Sequence, residues 1–356
     1  MMTGWEKEFS DFKHVYFNLI EETMQKKQET DISFLEESLC ELTGRKYAVA
    51  CASGTDALEA SLRATGIGRV LVSSFSWLSS ATAASLTGST PAFCDIEYGS
   101  YHMNMETIKW MMTPGIQAII FPQLFGNVTD LSELEEYCDD HGIVLIEDAC
   151  QAIGASVNGK MAGSQGDVST LSFNANKNIA GFSGGGAILT DDGRIAEYCR
   201  LWRQHGGGEF LGRNSKMLLL DATVIDHRLK SIWEWHLWRQ SIADIYNEKL
   251  NGYPVELQCD LNPDVDHSYH KYVVRFENQE VRDKVREKVG GVVHYPMPIH
   301  QESMFASRNN FMQSSIKDNT PVANEVCKTI LTLPLHHTMN VNDVIKNAEI
   351  VCRVLD

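Results

Sequence analysis

Between residues 47 and 147 the chain alternates short apolar segments with segments of helical spacing. Buried strands are short and rich in β-branched and other apolar residues, whereas helices repeat apolar residues every three or four positions. The predicted strands are Tyr47–Ala52, Val70–Ser73, Thr90–Cys94, Ile116–Phe121 and Ile143–Glu147. Repeated strand–helix units of this length build a mostly parallel sheet that helices cover on both faces. The pattern therefore predicts an α/β fold.

The two ends of the chain predict further helices and a second, smaller unit. Residues up to about 46 are expected to be helical, because apolar residues recur there at helical spacing before Gly44. The elements predicted after the large sheet are a helix, a strand, a helix and a strand, at Leu218–Leu250, Lys271–Phe276, Glu280–Val289 and Gly291–Tyr295. We therefore predict a large domain at residues 1–230 and a small C-terminal α+β domain at residues 231–356.

The composition excludes several classes of function. The net charge is −16 and the chain has no long basic run, which argues against nucleic acid and against an anionic membrane surface as partners. No apolar run resembles a signal peptide or is long enough to span a bilayer. The 9 cysteines include no C-x-x-C pair, so we expect reduced thiols and no metal site. A cytoplasmic enzyme fits these observations.

The motif Ser53-Gly54-Thr55 lies where the first predicted strand turns into a helix. In a sheet of this kind, ligands bind at the carboxyl ends of the strands. Small residues let the backbone approach an anion, and a helix N-terminus offers free N–H groups and a positive dipole end. The motif therefore predicts a phosphate site, and a simple helix cap by Ser53 is the alternative.

Two other predicted strands are followed by residues suited to a flat cationic ring. A carboxylate at the buried position of Asp148 needs a partner, which a protonated ring nitrogen would supply. Gln151 lies three residues further on and could bind a second ring substituent. Trp77 follows the second strand and could stack on a planar ring. The alternatives are a structural ion pair or helix cap at Asp148 and a core position for Trp77.

Lys177 lies in a polar, glycine-containing loop between two predicted strands, Asp167–Phe173 and Ala187–Thr190. Desolvation disfavours the charged form of a lysine, and a neutral amine can attack a carbonyl carbon and hold it as a Schiff base. An ordinary lysine on a surface hairpin is the alternative. A phosphate site, a stacking ring, a buried carboxylate and this amine are together what pyridoxal 5′-phosphate requires.

Several motifs in this order resemble the DegT/StrS-type sugar aminotransferases, which belong to the aspartate aminotransferase fold group. The resemblance runs from about residue 47 to the C-terminus, and it implies pyridoxal-phosphate fold type I. The motifs that carry it are Ser53–Leu58, Ser76-Trp77, Glu147–Ala155, Gly163–Asp167, Ser172–Asn178, Arg203–Gly206, Gly212–Asn214 with Met217, Ser268–His270, and His294-Tyr295 with Pro298–His300.

The resemblance implies a role for each residue that matches a motif. Lys177 would carry the cofactor and move the proton, while Asp148 would pair with the ring nitrogen. Gln151 would lie beside the ring hydroxyl, and Trp77 would stack on the ring. The phosphate would be held by Gly54, Thr55 and Ser172.

The resemblance also implies partners. Asn214 would reach the phosphate of a neighbouring subunit's cofactor, so a homodimer is expected. His270 and His300 match positions at which the family handles the sugar nucleotide, although either could be a core histidine. The expected reaction transfers an amino group from L-glutamate to a nucleotide-linked keto sugar, in amino-sugar or cell-surface polysaccharide biosynthesis.

The sequence departs from the family pattern near the lysine. The family's Gly-Glu-Gly-Gly after the lysine is Ser183-Gly-Gly-Gly186 here, so a glutamate is missing, and Asp221 stands where the family has a glutamine. The loop Asn174–Asn176 resembles the branch that aminates 4-keto-6-deoxy-N-acetylhexosamines on a UDP carrier. A 4-keto-6-deoxy sugar is therefore the expected acceptor, and the keto position is left open between C3 and C4.

Three alternatives remain at this point. Family dehydratases replace the lysine with histidine, so Lys177 disfavours that activity. A non-catalytic regulator on the same fold would not need the set formed by Asp148, Gln151 and Lys177. The glycines at 181–186 precede a strand and not a helix, which does not fit a dinucleotide-binding dehydrogenase.

Overall fold

The computed structural model describes residues 4–25, 31–66, 68–258, 263–306 and 320–356. Its helices, in chain order, are α1 Gly4–Gln25, α2 Ser33–Thr43, α3 Gly54–Thr65, α4 Ser79–Leu86, α5 Met105–Met111, α6 Ser132–His141, α7 Gly193–Trp202, α8 Leu219–Leu229, α9 Ile232–Leu250, α10 Gln279–Val289, α11 Ser303–Ala306, α12 Pro321–Thr329 and α13 Val341–Leu355. Short 3₁₀ helices occupy His205–Gly208 and Ile299–Gln301.

The strands of the same residues form three sheets. In chain order they are β1 Tyr47–Cys51, β2 Arg69–Ser73, β3 Thr90–Cys94, β4 Ile116–Pro122, β5 Val144–Asp148, β6 Ser156–Val157, β7 Lys160–Met161, β8 Val168–Ser172, β9 Gly186–Thr190, β10 Val255–Leu257, β11 Val265–Asp266, β12 Tyr272–Phe276 and β13 Ile330–Leu333.

The largest sheet has seven strands in the order β1-β9-β8-β5-β4-β2-β3. Strand β9 runs antiparallel to both of its neighbours, and the other pairs in this sheet are parallel. The α/β fold with a mostly parallel sheet is therefore confirmed. The two strands expected on either side of the lysine loop are β8 and β9, which pair with each other. The loop between them lies at the same edge of the sheet as the carboxyl ends of the parallel strands.

Apolar side chains bury both faces of this sheet, as the sequence pattern predicts. The four C-terminal residues of β5 are all buried, and β4 is buried at six of its seven positions. Polar caps start several of the surrounding helices: Ser53 begins α3 and Asp192 begins α7, each accepting a hydrogen bond from a backbone N–H of the first turn. Both helices thus begin with a short polar residue that closely follows a buried strand.

The C-terminal region builds a smaller sheet in the order β10-β12-β13, and α9 and α13 share its apolar core. A third sheet pairs β11 with β6, so a short C-terminal strand joins a hairpin that follows β5 in the chain. These contacts bring residues from the second half of the chain to the edge of the large sheet. The domain boundary near residue 230 stays a prediction.

Two sequence-based expectations are wrong in detail. The helix expected from Leu218 to Leu250 is two helices, because α8 ends at Leu229, where the Lys230 N–H turns back to the carbonyls of His227 and Arg228. The residues there are ordinary helix formers, so the pattern carries no stop signal. Residues 291–295 form no strand, and Val292 makes a single bridge to Thr332. In the segment expected to be helical before residue 46, α1 and α2 are present, and residues 26–30 lie outside the described residues.

No helix in the part of the chain that the structure describes is long and apolar enough to cross a membrane. The cysteines in that part are free thiols.

Candidate active site

The carboxyl edge of the large sheet opens into a pocket of about 230 Å³. Eight of the residues singled out in the sequence line it: Gly54, Thr55, Trp77, Asp148, Gln151, Ser172, Lys177 and His270. Strands β1, β5 and β8 and the loops that follow them supply most of these side chains. The parallel arrangement of the strands explains the gathering, because their carboxyl ends meet at one edge.

One end of the pocket is the N-terminus of α3. The Ser53 hydroxyl accepts a hydrogen bond from the Asp56 N–H at 3.1 Å, so the helix begins with Gly54. The first backbone N–H groups of a helix have no partner within it and bind anions. A Cβ atom on Gly54 would lie 2.9 Å from the Cβ of Ser172 and 3.1 Å from the sulfur of Cys150. Residue 54 must therefore be glycine if the helix is to start this close to β8.

Asp148 ends β5 as a buried carboxylate. Its oxygens accept hydrogen bonds from the Ser80 hydroxyl at 3.3 Å and from the Cys150 N–H at 3.2 Å. No arginine, lysine or histidine of the described residues forms an ion pair with it. A buried carboxylate with two long hydrogen bonds is under-compensated, so it is suited to a positively charged group of a ligand.

Lys177 lies on the loop that follows β8. Its backbone N–H donates to the carbonyl of Asn174 at 2.9 Å, and the Gly181 N–H donates to the carbonyl of Phe173 at the same distance. Burial lowers the pKa of the Lys177 amine, while Cys150 and Asp148 oppose part of that shift. A lowered pKa increases the neutral fraction, which is the form that reacts with carbonyl carbons and accepts protons.

The two departures from the family pattern near the lysine contact each other. The side chain of Asp221, in α8, accepts a hydrogen bond from the Ser183 N–H at 2.8 Å and a second one from the Ser183 hydroxyl. A Cβ atom on Gly181 would lie 2.7 Å from an Asp221 oxygen. Asp221 therefore holds the loop between Lys177 and β9, a role that the sequence could not reveal because the residues are far apart in the chain.

Three further predicted residues, Gln151, Trp77 and His270, also line the pocket. The Gln151 amide donates to the Tyr295 hydroxyl at 2.7 Å and accepts from the Phe125 N–H at 3.4 Å. The Trp77 ring is 59% exposed at the pocket, with its centroid 6.3 Å from that of Tyr295. The His270 ring contacts the Asn178 amide at 3.2 Å, and burial holds the pKa of His270 well below its ordinary value.

Two predicted positions do not line the pocket. Asn214 is exposed and forms a bridge with Gln204. His300 is buried, with its ring centroid 5.8 Å from that of Phe93. Neither ring nitrogen of His300 has a hydrogen-bond partner among the described residues.

Several pocket residues come from the C-terminal region and have no role predicted from the sequence. They are Lys271, His294 and Tyr295. Each adjoins or belongs to a motif that carries the family resemblance. Periodicity and composition offer no signal for them, because only tertiary packing brings them to the pocket, as in the contact of Tyr295 with Phe75 and Phe125.

The pocket residues fit pyridoxal 5′-phosphate. The start of α3 lines the pocket and offers backbone N–H groups to a phosphate. The under-compensated carboxylate of Asp148 suits a protonated pyridine nitrogen, and Lys177 supplies an amine with a lowered pKa. The glycine-rich loop leads into β9, so the dinucleotide-binding alternative does not fit the structure.

The sequence model of the DegT/DnrJ/EryC1/StrS aminotransferase family matches residues 14–352. A UDP-N-acetyl-3-dehydro-alpha-D-glucosamine 3-aminotransferase from Acidithiobacillus ferrooxidans is 31% identical over 335 residues, which are 90% of this chain and 88% of that protein. A dTDP-3-amino-3,4,6-trideoxy-alpha-D-glucose transaminase from Streptomyces venezuelae is 32% identical over 304 residues, which are 81% of this chain and 78% of that protein.

The solved structures show the same relationship. The crystal structure of S. venezuelae DesV in complex with a ketimine intermediate matches with a TM-score of 0.91 and 27% sequence identity, covering 98% of this chain and 96% of that chain. The fold, the pocket and the sequence thus agree. The chain belongs to the DegT/DnrJ/EryC1/StrS aminotransferase family, whose aminotransferases depend on pyridoxal 5′-phosphate.

Proposed function

We propose that this protein transfers an amino group from L-glutamate to the ketone of a nucleotide-linked sugar. The observation that carries the proposal is that an amine with a lowered pKa, Lys177, and an under-compensated carboxylate, Asp148, line one pocket. When bound there, pyridoxal 5′-phosphate supplies the electron-withdrawing ring that acidifies the carbon bearing the amino group. The two substrates use the pocket in turn, so the kinetics are expected to be ping-pong.

The residues that would hold the cofactor follow from their positions. The phosphate would be bound by the N–H groups of Gly54 and Thr55 and by the hydroxyl of Ser172. Asp148 would keep the ring nitrogen protonated, because a close carboxylate favours the charged form. The exposed ring of Trp77 would cover one face of the cofactor, and Gln151, whose amide is already bound to Tyr295, would border its edge.

Lys177 would act as the proton carrier. In its neutral form, the Nζ atom takes a proton from the α-carbon of the amino donor, and the same nitrogen returns a proton in the next step. Burial supports this role because it lowers the pKa of the amine. Asp221 contributes indirectly by fixing Ser183 in the loop that carries Lys177.

Replacing Gly54 with alanine is expected to weaken pyridoxal 5′-phosphate binding by about 10-fold or more. The added methyl group meets the Cβ of Ser172 at 2.9 Å, and overpacking of this kind costs about 1–3 kcal/mol. Titration of the apo-protein with the cofactor, followed by visible absorbance, measures the change. Gly193→Ala is the matched control, because Gly193 also begins a helix but its added Cβ would lie 3.3 Å from the Tyr47 hydroxyl. An unchanged affinity in Gly54→Ala would place the phosphate elsewhere.

The substrate's keto position is proposed from the relatives. Both proteins reported above are named for amino groups at C3 of a nucleotide-linked sugar. We therefore place the acceptor ketone at C3, in preference to the 4-keto-6-deoxy sugar expected from the lysine loop. The test starts from the protein in its pyridoxamine phosphate form and adds 3-keto and 4-keto sugars on UDP and dTDP carriers. Recovery of the visible absorbance with a 3-keto sugar alone is the expected result, and recovery with 4-keto sugars alone overturns the C3 assignment.

We also propose a cytoplasmic homodimer in which Asn214 faces the cofactor phosphate of the partner subunit. The support is that Asn214 is exposed and lies outside the pocket of its own chain. The nearby side chain of Leu211 is 91% exposed, which is unusual for a large apolar residue and fits a subunit contact.

A further inference from the structure

Lys271 is a second lysine of the pocket, and the proposed reaction gives it no task. It lies directly before β12, and its backbone N–H donates to the carbonyl of Phe125 at 3.0 Å. That hydrogen bond connects it to the segment after β4, at the same sheet edge as Asp148. Within the described ranges, its amine has no ion-pair or hydrogen-bond partner.

The charges around Lys271 have the wrong sign for a structural ion pair. Burial, together with Arg239 and Lys177, lowers the pKa of Lys271 to about 7. After burial, Lys271 is the largest cause that lowers the pKa of both His270 and His294. Every charged or titratable neighbour named by these effects is therefore a base, and none is a carboxylate.

The pocket as a whole is short of negative charge. Among the described residues that line it, Asp148 is the one carboxylate, and the cofactor's ring nitrogen would use it. A cation held away from water without a counter-ion is costly, and a ligand that brings an anion removes that cost. The cofactor phosphate does not serve this purpose, because the N-terminus of α3 already provides its site.

We propose that Lys271 binds a carboxylate of the substrate, and that this carboxylate is the α-carboxylate of the amino donor. The inference rests on the proposed amino transfer, since an amino acid must then enter this pocket with its carboxylate ionised. A lysine ammonium is a compact charge that three acceptors can reach, which suits a group that must bind and leave in each cycle. A carboxylate on the sugar ring would present the same chemistry, and the experiment separates the two sources.

The test uses the holoenzyme and measures the two half-reactions separately. Lys271→Gln removes the charge and keeps a polar side chain that is one atom shorter. The concentration of L-glutamate at half-saturation is expected to rise by about 10- to 100-fold, which is the effect of losing one hydrogen bond to a charged group. The rate at saturating L-glutamate should change by less than about threefold, because the lost contact is made equally before and during proton transfer. Lys271→Arg should restore part of the affinity.

The second half-reaction identifies the source of the carboxylate. Keto sugars whose C6 is a methyl, hydroxymethyl or carboxylate group are compared in wild-type and Lys271→Gln proteins. A loss confined to the L-glutamate half-reaction supports the amino donor. A loss confined to the C6 carboxylate sugar overturns that choice and assigns Lys271 to the acceptor. If Lys271→Gln has the same half-saturation values as wild type in both half-reactions, Lys271 does not bind a carboxylate.

Binding of succinate to the apo-protein gives a readout that does not depend on turnover. By titration calorimetry, Lys271→Gln should bind succinate about 10-fold more weakly than wild type, while its affinity for inorganic phosphate stays unchanged. Lys288→Gln, a change at an exposed lysine of α10, should alter neither. A wild-type protein that converts no amino donor overturns the proposed function, whereas unchanged succinate binding in Lys271→Gln overturns the role of Lys271 alone.

Discussion

Replacing Lys177 with alanine is expected to lower the rate of amino transfer by at least about 10³-fold. The change would remove both the amine that we propose holds the cofactor and the base that we propose moves the proton. Lys177→Arg should be equally inactive, because an arginine side chain stays charged and cannot act as a base at neutral pH. Turnover with an amino donor and a keto sugar is the measurement, together with the visible absorbance band of the lysine-bound cofactor.

The control for this prediction is Lys230→Ala, at a lysine whose side chain is 72% exposed. It should leave turnover and the absorbance band at wild-type values. The Lys177 variants should still bind pyridoxal 5′-phosphate, because they leave the proposed phosphate site at α3 unchanged. Wild-type turnover in Lys177→Ala would show that another amine performs the reaction and would remove the basis of the proposed mechanism.

The largest effect on stability is expected at a buried ion pair that joins α8 to α1. The Arg228 guanidinium donates to the Glu8 carboxylate at 2.6 Å, and both side chains are only 2% exposed. A second Arg228 nitrogen donates to the carbonyl of Ala180 at 2.7 Å, three residues after Lys177. Arg228→Met should therefore lower the free energy of unfolding by about 3–5 kcal/mol, because it leaves a buried carboxylate without its charge partner. Denaturant unfolding measures the change.

A double variant distinguishes the cost of an unpaired buried charge from the cost of lost side-chain packing. Glu8→Gln combined with Arg228→Met removes both charges, so its loss of stability should be smaller than that of Arg228→Met alone. Lys284→Met, which breaks an exposed pair with Glu280, should cost less than about 1 kcal/mol. If Arg228→Met costs no more than Lys284→Met, the buried pair does not hold the N-terminal helix against the lysine loop.

The same pair predicts a dependence of stability on pH. Burial raises the pKa of Glu8, but hydrogen bonding from His337 and the charge of Arg228 outweigh it, so the folded-state pKa lies below the ordinary value of 4.5. The contribution of this carboxylate is therefore fully present above about pH 4.5 and is lost as the pH falls through the lower folded-state pKa. The wild-type protein should lose stability over that window more steeply than the double variant.

The sequence alone determined the fold class and the core of the candidate site. Alternating apolar and helical segments require a mostly parallel sheet, and residues that follow its strands must meet at one edge. Gly54, Asp148 and Lys177 could be placed together for that reason, because each directly follows or lies near the end of a predicted strand. The helix cap at Ser53 was equally visible, since it depends on residues three positions apart.

Only the tertiary structure decided the contacts between distant segments. The bonds from Ser183 to Asp221, from Gln151 to Tyr295 and from Arg228 to Glu8 join residues 38, 144 and 220 positions apart. The place of Lys271 in the pocket likewise depends on the hydrogen bond from its backbone N–H to the carbonyl of Phe125, which is far away in the chain. Local patterns record the period of one element and the residues that begin or end it. The pairing of surfaces between elements depends on shape and charge complementarity across the whole chain, which no single stretch of sequence contains.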